Sequence, residues 1–96
     1  MSEPDYAALG RYVHLEGLVA QQIAARNQLL ERAATLLSNG TKPPVGLNAA
    51  PARRFNFEAA RKLLADAEQA EAWLLELVAE ANDLAPLAGK AGLKVK

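Results

Sequence analysis

Proline placement constrains this chain more than any other feature. The stretch from Asp5 to Ser38 has none and is interrupted only by Gly10 and Gly17, Pro43, Pro44 and Pro51 cluster in the middle, and Pro86 stands near the end. Proline lacks a backbone donor and its ring clashes with the preceding turn, so long helices fit only between these points. The first stretch is rich in Ala, Leu, Gln, Glu and Arg, all good helix formers. It predicts a helix over about 5–38, roughly 50 Å long. Ser2 or Asp5 is the expected N-cap, with Pro4 as an early-helix residue. Asn39-Gly40 is the expected stop, because both residues tolerate the left-handed conformation.

Residues 39–56 read as a loop, with Pro43-Pro44 favouring extended chain. A connection this long is uncommon in a compact domain and points to a mobile or binding element. Val45, Leu47 and Phe55 are available to pin it to the helix ends. A second helix is expected over about 57–84, with Asn56 as N-cap, Phe55 stapled against Ala60, and Pro86 as the stop. The tail over 88–96 carries Gly89, Gly92, Lys90, Lys94 and Lys96 and reads as flexible and basic. No strand alternation or internal repeat is present. The expectation is a single all-α domain over 1–96, a long antiparallel helical hairpin of coiled-coil type.

Composition narrows the function classes. Hydrophobic residues make up 51% and charged residues 23%, which is the balance of a folded domain. Eleven Lys+Arg offset eleven Asp+Glu, and a neutral chain is a poor fit to a dedicated nucleic-acid binder. Cysteine is absent and there is one histidine, which removes disulfides, thiolate chemistry and the usual zinc sites. No cofactor or metal is expected. The acidic start lacks the basic and apolar regions of a secretory signal. The densest apolar run, Ala72 to Val78, is broken by Glu76, far short of a membrane span. A cytoplasmic location without membrane contact is expected.

Both helices carry a heptad seam. In the second, Ala60, Leu63, Ala67, Ala70, Leu74, Leu77, Ala81 and Leu84 alternate steps of three and four. In the first, the row Leu9, Tyr12, Glu16, Val19, Ile23, Arg26, Leu30, Ala33 and Leu37 does the same. Large residues opposite alanines suit an antiparallel pair at a small crossing angle. The first helix carries further leucines away from this row, and its apolar arc is far wider than the roughly 100° that one neighbour requires. Leu15, Leu18, Leu29 and Leu36, with Trp73 of the second helix, are therefore the expected interface residues. Exposing those four leucines would forgo on the order of 6–12 kcal/mol. That rivals the stability of a small domain, about 5–15 kcal/mol. The expected assembly is a homodimer forming a four-helix bundle, with room for a further protein partner. In the competing arrangement the loop and tail fold back over the leucines through Val45, Leu47, Leu87 and Leu93.

Polar residues on the seam suggest one specific contact. Facing positions of such a hairpin sum to about 95, which matches Arg26 with Glu71. An ion pair is expected there, with Glu16 or Asn27 close by, and it would fix register more than stability.

The remaining charged groups offer other candidate sites. Asp66, Glu68, Glu71, Glu76, Glu80 and Asp83 occupy the second helix without an intervening base. Good cation sites need oxygens converging from several directions, so a solvated face is the simpler reading. Arg53, Arg54, Arg61 and Lys62, interleaved with Phe55 and Phe57 and joined by Lys42, form the alternative reading of a nucleic-acid-binding regulator. His14 has no suitably spaced carboxylate. Phosphate-loop, nucleophile-elbow and kinase motifs are absent. The chain therefore reads as a non-enzymatic interaction protein.

Overall fold

A computed structural model of the chain describes residues 5–41 and 54–95. Ser2, Pro4, Lys42, Val45, Leu47, Arg53 and the central prolines lie outside the described residues. Two α-helices, α1 (Tyr6–Gly40) and α2 (Phe57–Ala88), pack against each other as an antiparallel hairpin. Among the described residues there is no strand, and no helix is long and apolar enough to cross a membrane.

The helix ends follow from local chemistry. Asp5 caps α1, its carboxylate accepting from the amides of Ala7 and Ala8 at 3.0 and 3.1 Å. Asn56 caps α2 through Ala59 at 2.9 Å. The end of α1 differs from expectation: Gly40 stays helical, and Thr41 closes the helix. The Thr41 amide bonds the Leu37 carbonyl, and its hydroxyl donates to the Ser38 carbonyl. Phe55 lies over Gly40 and meets Phe57 edge-to-face at 4.8 Å.

The end of α2 also lies beyond the sequence expectation, since the helix runs through Pro86 to Ala88. A proline in the last turn removes a single donor. Continuing the helix buries Ala85 and Ala88 against α1. Gly89 then adopts φ +70, the Gly89 amide reaches the Pro86 carbonyl, and the Lys90 amide reaches the Ala85 carbonyl at 2.9 Å. This paired closure satisfies the last carbonyls and needs a residue free of Cβ strain.

The chain beyond Gly89 is not the loose tail expected from its composition. Asn82 donates to the Leu93 carbonyl at 3.0 Å and accepts from the Leu93 amide at 2.6 Å. The side-chain amide thus pairs with an extended backbone as a neighbouring strand would. Gly92, at φ +93, sits where a Cβ would stand 3.0 Å from the Asn82 carbonyl oxygen. Leu93 packs on the core. At the same end the Asp5 amide bonds the Leu87 carbonyl at 3.3 Å, tying the two termini of the hairpin.

The core is uneven along its length. Its main cluster, built on Tyr12, Leu15, Val19, Leu74, Leu77 and Val78, fills the half remote from the loop. Among the described residues, the loop-proximal half buries only alanines: Ala33, Ala60 and Ala67. The α2 seam lies where the heptad puts it, with Val78, Ala85 and Ala88 added.

The α1 seam is in a different phase. The row facing α2 is Ala8, Tyr12, Leu15, Val19, Gln22, Arg26, Leu29, Ala33 and Leu36, each buried or half-buried. It shares Tyr12, Val19, Arg26 and Ala33 with the expected row. Leu9 remains half-buried, whereas Glu16, Ile23, Leu30 and Leu37 are exposed. Both rows obey the same spacing, and charge separates them. Rolling α1 the other way would turn Glu16 into the seam at about the level of Ala81, and burying a carboxylate is costly. Leu15, fully buried at 0% exposure, takes the place of Glu16.

Leu15→Ala is therefore expected to cost about 3–5 kcal/mol in urea unfolding, and Leu30→Ala less than about 1.5 kcal/mol. Equal losses would contradict this phase. Asn82→Ala should release the tail, seen as faster exchange of the Leu93 amide with the helices intact.

Candidate interaction face

The new phase relocates the exposed apolar surface. Leu15 belongs to the hairpin core, and Leu18, Leu29 and Leu36 are half-sheltered by α2. They do not form the open face expected of them. Trp73 is 50% exposed, but it lies on the far flank of α2. Tyr6, Val13, Leu87 and Val95 are open toward the loop-remote end and Phe57 at the start of α2; between them the open apolar side chains are instead Ile23, Leu30 and Leu37 on α1, at 37, 41 and 47% exposure, and Leu64 and Leu75 on α2, at 47 and 43%.

Helix periodicity puts these five on one side. Ile23, Leu30 and Leu37 repeat every seven residues, flanked by the small residues Ala20 and Ala34. On α2, Phe57, Leu64 and Glu71 form one row, and Arg61, Glu68 and Leu75 the next row outward. A cleft of about 360 Å³ shows that the two helices contribute to a common face, since Ile23, Arg26, Glu71 and Leu75 line it together with Leu93 and Val95 of the tail. The tail therefore lies across the loop-remote half of this face. Among the described residues, nothing lies across the loop-proximal half.

The Arg26–Glu71 contact is present, with the guanidinium Nη1 3.1 Å from the carboxylate. Arg26 also donates from Nε and Nη2 to the side chain of neighbouring Asn27. Glu71 is half exposed and Arg26 a quarter exposed, so the pair sits at the edge of the seam. Its contribution is that of a partly screened surface pair, up to about 1 kcal/mol.

The other acids are dispersed. Glu80 meets Arg11 at 2.7 Å, and Asp66 meets Lys62 at 3.7 Å. Among the described residues no three His, Asp or Glu side chains gather in a way that would hold a metal ion. The basic residues do not gather either. Arg54 is exposed ahead of α2, Arg61 lies on the apolar face, and Lys62 is turned away from it by one residue's rotation toward Asp66. His14 is exposed on α1.

The α1 leucine phase is the part of this face that sequence reasoning missed. The signal that separates the two rows was present, since one row holds Glu16 and the other Leu15. No family model, curated protein or solved structure matches this chain.

Glu71 interrupts the apolar face between Leu64 and Leu75. Glu71→Leu is expected to leave thermal stability within about 1 kcal/mol of the parent while strengthening any association through this face. A loss of several kcal/mol would show that the ion pair holds the hairpin together.

Proposed function

We propose that this protein is a non-enzymatic interaction module whose working surface is the loop-proximal apolar face, and that it self-associates through that face into a four-helix bundle. The observation that carries the reading is that Leu30, Leu37 and Leu64 stand open on one side of a half-hairpin that, among the described residues, buries only alanines.

Physical magnitudes support a reversible assembly. Fully burying an aliphatic side chain contributes about 1.5–3 kcal/mol. With somewhat under half of each side chain still exposed, covering one contributes about 1 kcal/mol. Six such residues across a symmetric pair (Leu30, Leu37 and Leu64 of each copy) then contribute about 6 kcal/mol, the same order as the roughly 4–15 kcal/mol cost of association. Terms of the same order allow at most a weak dimer, one that dissociates on dilution. The mechanism is binding alone: the hairpin presents a preformed apolar strip, and charges at its margin select how the partner sits.

Light scattering over a concentration series tests this. The parent chain should move from monomer toward dimer mass as concentration rises. Leu30→Glu with Leu37→Glu should hold it monomeric, with helical circular dichroism unchanged because both sites are open in the hairpin. A parent chain that stays monomeric at high concentration would refute the reading.

A further inference from the structure

The face can meet its own copy in two symmetric ways, and charge together with the tail separates them. Rotation about an axis along the helices lays α1 of one copy over α2 of the other at equal height. Arg61 then lands on Leu37, and Glu68 on Leu30. Both tails, each anchored at Asn82, also meet head-on and hold the apolar halves apart.

Rotation about an axis across the helices lays α1 on α1 and α2 on α2, antiparallel. The tails then lie beyond the overlap, which is confined to the loop-proximal halves. Three independent centres coincide in this arrangement. Arg61 and Glu68 are equidistant from a point beside Leu64. Leu30 and Leu37 are equidistant from a point beside Ala33. Arg26 pairs with Glu71, and the same register sets Ala33 opposite Leu64, so the two points lie at one height. The open span between the tail cleft and the loop also has its middle within about two residues of that height.

We infer that two copies dock antiparallel about a two-fold axis at Leu64. Arg61 of each copy faces Glu68 of the other, Leu30 faces Leu37, and Leu64 faces its own counterpart. Within one hairpin Arg61 and Glu68 make no ion pair among the described residues. They stand about 10 Å apart along the helix, so the second copy supplies what each lacks. The inference rests on the self-association proposed above and adds its geometry.

The chain has no cysteine, so single-cysteine variants give an unambiguous readout. Leu64→Cys should form an intermolecular disulfide at least tenfold faster than Leu75→Cys, whose copies would stand about 30 Å apart. Arg61→Glu and Glu68→Arg should each weaken the dimer by about fivefold, and the double variant should restore it. If the parent dimerises but Leu64→Cys crosslinks no faster than Leu75→Cys, or the double variant fails to recover, the antiparallel geometry is overturned and self-association stands. If the parent is monomeric at all concentrations, both are overturned.

Discussion

The fold turns on keeping the Glu16 carboxylate out of the seam. A hairpin with α1 in its other phase would face Glu16 toward α2 and desolvate it. The helices roll the other way, so Leu15 rather than Glu16 faces α2 and Arg26 reaches Glu71 at the margin. One rotation of α1 therefore sets the core, the position of the ion pair and the side on which apolar residues are left over. A hairpin built from helices with apolar arcs this wide must leave some leucines outside, and the electrostatics select which ones.

The leftover side is treated differently at its two ends. In the half remote from the loop, the chain covers its own surface. Gly89 reverses the backbone, Asn82 grips Leu93 at both its amide and its carbonyl, and Leu93 seats on the core. In the loop-proximal half the seam is thin, because the fully buried positions among the described residues are the small side chains of Ala33, Ala60 and Ala67. Leucines on that half gain little from the partner helix and stand open at their outer edge. The tail and the proposed second copy are two answers to one problem, an apolar strip longer than the hairpin can cover.

Much of this was legible from residue order alone. The proline-free stretches place the two helices, although α2 runs on through Pro86, and the α2 heptad names its buried row because alanine and leucine alternate there without a rival phase. The Arg26–Glu71 contact follows from hairpin register, which depends only on where the chain turns. The α1 phase was harder to read. Two rows share Tyr12, Val19, Arg26 and Ala33 and differ by one residue elsewhere, and apolar counting cannot separate them. Only the cost of burying the Glu16 carboxylate does, and a count of apolar positions does not register it. The tail was hidden for a related reason. Its glycines and lysines suggest disorder, while the residue that orders it, Asn82, is eleven positions away in sequence and unremarkable on a helix surface.

The uneven core bears on why an exposed strip is tolerated at all. Filling the loop-proximal seam with larger residues would hold the helices farther apart and shelter the leucines no better. They lie at the flank, where a second helix cannot reach both edges at once. Sheltering them would take a third wall, and among the described residues the chain after Gly89 lies only along the cleft beside Ile23 and Leu75. The strip below that cleft carries Arg61 and Glu68 at positions symmetric about Leu64, an arrangement that an intramolecular cover would not need and a two-fold partner would use. Charge placement at the margin of the strip therefore favours a second hairpin as the missing wall.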